Sequence, residues 1–223
     1  MLRFIPYWLR ILLAILLLIV IALAVFVVWA STPAGALMPP AIEAMQSTGS
    51  VTVSTDNWLV FSPDEPTNTG FIFYPGGRVQ GEAYSPMAHA LAEAGYLAVI
   101  VPMPLNLAVF HVEGAQGVID GYPEIEHWAI GGHSLGGSMA ARFAYNQPNE
   151  IDGLVIMAAY PEEFADFSQR EIVVATIYGE FKGFATVDQV ESSAPWLPDD
   201  TEFVMIGGGN HAQFGWYGAQ AGD

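Results

Sequence analysis

The chain has 223 residues, with 23 acidic side chains against six basic ones and no cysteine. A formal charge of −17 repels nucleic acid and anionic lipid headgroups, so neither is an expected partner. Without cysteine, disulfides and thiol chemistry are excluded.

Ile11 to Ala30 is an unbroken run of 20 apolar residues, roughly 30 Å long as a helix, one bilayer core. A secretory signal has a shorter apolar centre of about 7–15 residues. Length therefore favours an uncleaved anchor over a cleaved signal, although Ala34-Gly35-Ala36 has a spelling that a signal peptidase accepts. Arg3 and Arg10 precede the run, and no Lys or Arg follows it until Arg78. The positive-inside rule then puts the N-terminus in the cytoplasm and the rest outside the cytoplasmic membrane. Residues 1–30 read as a cytoplasmic stub and single-pass transmembrane anchor. Residues 31–50, with Pro33, Pro39 and Pro40, read as a linker. Residues 51–223 remain for one domain. Everything after Ala30 holds all 23 acidic residues against four basic ones, Arg78, Arg142, Arg170 and Lys182, a formal charge of 4 − 23 = −19.

Strand-like and helix-like segments alternate from there. "SVTVS" and "NWLVFS" flank Asp56 as a hairpin, and "GFIFY" is a buried strand ended by Pro75-Gly76-Gly77. Tyr84 to Gly95 has Met87, Leu91 and Ala94 at helical spacing and stops at a glycine. "YLAVIVP" is a strand, and a weaker helix lies near Gly114 to Asp120. "HWAIGG" (strand), Ser134 to Asn146 (helix), "GLVIMAA" (strand), "EIVVATIYG" (strand), Thr186 to Ser193 (helix) and "EFVMIGG" (strand) complete the series. Apolar strands separated by helices predict an α/β fold, a mostly parallel sheet with helices on both faces.

Gly132-His133-Ser134-Leu135-Gly136 spells G-x-S-x-G, with an apolar strand before it and an Ala-rich helix directly after. A sharp strand-to-helix turn there would expose the Ser134 hydroxyl as a nucleophile, with little room for side chains two residues to either side. The Leu135 N–H, at the helix start, is placed to hold an oxyanion. Gly77, in "FYPGGRV", is the candidate second donor. The base belongs after the last strand, where the Gly-rich loop supplies His211. His89, His111 and His127 suit structural roles, and His133 points away from the face of Ser134. No histidine pair has zinc-motif spacing, so no metal is expected. The loop Pro102 to Phe110, with Phe214, Trp216 and Tyr217, would line an apolar pocket.

As a set, "FYPGGRV", the segment Tyr84 to Phe110, "IGGHSLGG", "IYGE" and "GGNHAQFGWYG" resemble the alpha/beta hydrolase superfamily, over about Asn57 to Gly218. More narrowly they resemble its small, lid-poor bacterial members related to dienelactone hydrolase. The resemblance implies a Ser134 nucleophile, a His211 base, no cofactor and esterase-like chemistry on a small-molecule ester. It also locates two departures. Lys182 stands where relatives carry the aspartate that orients the histidine, and a cation there would disfavour the imidazolium. A last helix that relatives pack on the sheet has no counterpart before Asp223. Glu180, two residues back, is one substitute acid. The cluster Glu162, Glu163 and Asp166 is another, and the absence of any acid is the third option. Asp188 sits in "TVDQ", a capping box of Thr186 and Gln189, and more naturally steadies a helix start. The alternative to an enzyme is a hydrolase-fold binding or scaffold protein that has lost turnover.

Overall fold

The computed structural model describes residues 6–65, 67–181 and 183–220. The chain divides into two compact units, Met1–Thr32 and Pro33–Asp223. The described residues of the first form α1, Tyr7–Ser31, which is apolar all round from Ile11 to Ala30: Leu12, Leu16, Ile19 and Phe26 are all exposed. It is long and apolar enough to cross a membrane. Arg3 lies outside the described residues.

The second unit is built on eight strands among the described residues. These are β1 (Val51–Ser54), β2 (Leu59–Pro63), β3 (Thr69–Tyr74), β4 (Leu97–Ile100), β5 (His127–His133), β6 (Gly153–Met157), β7 (Val173–Gly179) and β8 (Glu202–Ile206). They lie in the order β1-β2-β4-β3-β5-β6-β7-β8. The expected hairpin is the antiparallel pair β1–β2, and β2 meets β4 antiparallel. From β4 through β3 to β8 every pairing is parallel. Among the described residues five α-helices accompany the sheet: α2 (Pro39–Glu43), α3 (Ser85–Glu93), α4 (Gly114–Gly121), α5 (Leu135–Asn146) and α6 (Val187–Glu191).

Strand periodicity splits the core into two layers. Ile72 and Tyr74 of β3 enter the layer that holds Ala115 and Val118 of α4 and Met139, Ala140, Phe143 and Ala144 of α5. Phe71 and Phe73 enter the opposite layer, with Ala88 and Ala92 of α3. Each large side chain removed from water this way stabilises the fold by about 1.5–3 kcal/mol. The alanines of α5 bring that helix close to β5 and β6, where its first turn meets the strand ends.

One expectation changes. The stretch read as a linker is folded onto the domain: α2 forms within it, Ala34 N–H donates to Arg78 O at 2.7 Å, and Met38 N–H donates to Trp216 O at 2.9 Å. Prolines at the first helical positions start α2, because their fixed φ suits a helix N-terminus. Helices lie on both faces as expected, α4 and α5 on one and α3 on the other, and the α3 face is only partly covered. Beyond α3 it presents Val204 and Ile206 of β8 to solvent, and among the described residues no helix follows the turn His211–Phe214.

Candidate active site

Ser134 alone makes the corner between β5 and α5, at φ 53° and ψ −124°. For a residue with a Cβ this conformation costs about 1–3 kcal/mol, and the surroundings must impose it. Ser134 N–H donates to Met157 O on the neighbouring strand at 2.9 Å, and Ser134 O accepts from Ser138 N–H at 3.2 Å. The flanking glycines are required by packing. A Cβ on Gly132 would lie 2.4 Å from the Gly136 carbonyl carbon, and one on Gly136 would lie 2.1 Å from Tyr74 O. Strand end, helix start and the β3 loop are thus in backbone contact.

His211 is buried and opens the short 3-10 turn His211–Phe214 after β8. Asn210 and Gln213 close this turn as a capping box, Gln213 N–H donating to Asn210 Oδ1 at 3.1 Å and Asn210 N–H to Gln213 Oε1 at 2.9 Å. The His211 ring lies 4.6 Å from the His133 ring and 5.3 Å from Phe184, centre to centre. Ser134 and His211 line one cleft of about 230 Å³, together with Leu135, Ala158, Tyr160 and Phe184. Two residues far apart in sequence are brought together there because β5 lies centrally in the sheet and β8 ends on the same rim.

The donors expected for an oxyanion sit at this rim. Leu135 is the first residue of α5, whose opening amides have no partner within the helix. Gly77 lies against it: a Cβ on Gly77 would be 3.4 Å from Leu135 Cδ2. The loop between β3 and the turn Gly81–Tyr84 is held by Val79 N–H to Gly76 O at 3.0 Å and by Arg78 N–H to Asn106 O at 2.7 Å.

The carboxylates fall elsewhere. Glu180 accepts from Gly208 N–H at 2.8 Å and, among the described residues, has no hydrogen bond to His211, so its observed task is to hold the turn leading to that residue. Glu162 faces Arg142 at 3.7 Å. Asp166 accepts from Ser168 N–H at 2.9 Å, and the hydrogen bonds from Ser168 hold its carboxyl below the usual range. Neither, then, stands at the imidazole. Asp188 lies in the first turn of α6 behind the Thr186–Gln189 capping box, as expected. Lys182 lies outside the described residues.

The apolar lining of the cleft differs from the expected one. Phe214 stacks on His133 at 5.6 Å, Tyr217 is buried in the α3 layer, and Trp216 borders a separate cavity with Met38 and Gln213. Tyr160 and Phe184 line the cleft instead. Nothing in the local sequence of Tyr160 marks it, since it follows β6 in an ordinary Tyr-Pro turn. The other histidines have the structural surroundings anticipated: His89 is 3.5 Å from Glu93, and His127 is 3.2 Å from Asp152. Among the described residues no group of three or more His, Cys, Asp or Glu could cage a metal.

His133 is fully buried beside this cleft, and its pKa is pushed down to about 3, by desolvation first and by the neighbouring His211 second. It is therefore a neutral ring at any ordinary pH. Burial likewise raises the Tyr84 phenol well above its usual range, so it keeps its proton.

A family model described as "Alpha/beta hydrolase family" matches residues 70–223. No curated protein is a significant match to the chain. Among solved structures, TT1662 from Thermus thermophilus superposes with a TM-score of 0.60 at 13% identity, covering 73% of this chain and 91% of that one. MGS-MChE2, an alpha/beta hydrolase enzyme from the metagenome of lagoon sediments at Mar Chica, Morocco, gives 0.58 at 16% identity, covering 73% and 89%. At these identities the likeness is one of fold.

Proposed function

Because the chain belongs to the alpha/beta hydrolase family, we propose that it is a serine hydrolase, esterase-like, anchored by α1 with its hydrolase domain outside the cytoplasmic membrane. The observation that carries this reading is the strained Ser134 corner sharing a cleft with His211. Ser134 Oγ attacks the carbonyl carbon of a small ester while the His211 imidazole accepts the hydroxyl proton. The N–H groups of Leu135 and Gly77 hold the oxyanion of the tetrahedral intermediate. On collapse the C–O bond breaks, His211 returns the proton to the leaving alcohol, and water enters by the same route to release the acid. No cofactor takes part.

Glu180 serves this scheme through the Gly208 turn rather than at the ring. In serine proteases, spoiling the acid costs about 10⁴-fold yet leaves catalysis from the oxyanion hole and binding site. The cleft is small, and among the described residues its lining carries no carboxylate, lysine or arginine. It suits a short, uncharged acyl group; small-molecule sites commonly run from about 300 Å³ upward. The acidic surface adds repulsion against anionic substrates and nucleic acid.

Hydrolysis of p-nitrophenyl esters by the detergent-solubilised full chain tests the reading. The expected result is turnover of acetate and butyrate, decline at longer chains, and loss in Ser134→Ala. A folded wild type without turnover would favour the scaffold alternative, which the Glu180–Gly208 contact and the Lys182 position support. Membrane placement is tested by reporters fused after Gly218. Activity of a periplasm-type reporter there agrees with the positive-inside reading, and activity of a cytoplasm-only reporter overturns it.

A further inference from the structure

A buried chain of hydrogen bonds runs behind the cleft. Gly76 N–H donates to the Tyr84 hydroxyl at 3.1 Å, that hydroxyl lies 2.8 Å from His133 Nδ1, and His133 Nε2 lies 2.9 Å from the His211 carbonyl oxygen. Counting protons fixes every direction. A carbonyl accepts only, so Nε2 carries the hydrogen. Nδ1 of the neutral ring is then the acceptor and receives the single Tyr84 proton, leaving the phenol lone pairs to Gly76 N–H. All four partners are used, with no donor facing a donor.

The two ends of this chain are backbone groups of two segments remote in sequence. One end is the loop carrying Gly77; the other is His211 itself. The middle, His133, precedes Ser134. We propose that Tyr84 and His133 are positioning residues, forming an internal brace that fixes the Gly76–Gly77 loop and the His211 backbone relative to Ser134. This rests on the assignment of Ser134 and His211 as nucleophile and base. Ring packing supports the brace from both sides, with Phe73 4.6 Å from Tyr84 and Phe214 stacked on His133. A buried polar group that merely filled space would meet whatever partner lay nearest. Here both terminal partners belong to the segments that must be held in register, and a displacement of about 1 Å between reacting groups can cost about 10²-fold in rate.

The test uses the full chain in detergent and three variants. Tyr84→Phe removes one oxygen and keeps the ring, His133→Leu removes both ring nitrogens, and His133→Gln keeps one acceptor and one donor. Amide hydrogen exchange is read over residues 75–79 and 209–215, alongside kcat and KM for p-nitrophenyl acetate. Tyr84→Phe and His133→Leu are expected to exchange about tenfold faster in both segments. Their kcat should fall about tenfold to a hundredfold with KM changed less than about threefold, and His133→Gln should restore most of both. Unchanged protection in folded Tyr84→Phe overturns the brace, as does an unchanged kcat in an active enzyme. Should His133→Leu fail to fold, Tyr84→Phe decides alone. A wild type with no turnover would sink the hydrolase reading, while the exchange data would still decide the brace.

Discussion

Ser134 sits in a backbone conformation that glycine adopts freely and other residues do not. Replacing it separates strain from chemistry: Ser134→Ala keeps the Cβ and the strain, whereas Ser134→Gly relieves it. Both are expected to be inactive, and the glycine variant should melt higher than the alanine variant, since about 1–3 kcal/mol is stored at such a site. Equal midpoints, or a higher one for alanine, would contradict the strained-corner account. His133 makes a second prediction. Its folded pKa of about 3 lies below the ordinary 6.5. As pH falls through that interval the unfolded chain takes up a proton that the folded state refuses. The neutral ring therefore adds no pH slope above about 6.5, and stability is lost from there down towards about 3, by up to about 1.4 kcal/mol per unit. Thermal midpoints between pH 7 and pH 4 should fall more steeply for wild type than for His133→Gln, and parallel curves would refute the assignment. The motif spelling made Ser134 and its glycines legible in the sequence. Tyr84 was not, because its partner His133 is 49 residues away and nothing local distinguishes it from an ordinary helix-start aromatic.

At the level of elements, capping chemistry places His211. The turn His211–Phe214 is too short to hold itself, and the Asn210–Gln213 box satisfies amides at both of its ends. Asn210→Ala should cost about 1 kcal/mol of stability and, by loosening His211, lower ester turnover several-fold more than Thr186→Ala, which removes the equivalent cap from α6. Equal losses of turnover in the two variants would show that the His211 turn is not held this way. The Thr186 box was readable from four residues in a row. The strands were legible too, because near-continuous apolar runs such as "YLAVIVP" suit strands buried on both faces. The packing of residues 31–50 is not legible in the sequence, because Pro and Gly signal turns without saying whether the chain packs. Met38 and Leu37 show that it does. The role of Glu180 was missed for a related reason: strand alternation gives the side of the sheet but not which backbone amide a carboxylate will reach.

The whole molecule combines an apolar helix with a domain of charge opposite in sign to its flanking arginines. The former was visible from composition, and a mostly parallel sheet followed from the succession of apolar strands and helices, whereas the spatial order of the eight strands was not legible. The depth of the cleft was not visible, since it depends on which loops happen to cover the sheet. The proposed activity depends on one covalent event at Ser134. The most direct test is to treat the solubilised full chain with a fluorophosphonate and locate the adduct by peptide mass spectrometry. A single adduct on Ser134, absent from Ser134→Ala and strongly reduced in His211→Ala, is the predicted result. A folded wild type that takes up no label, or takes it up on another residue, would contradict the account.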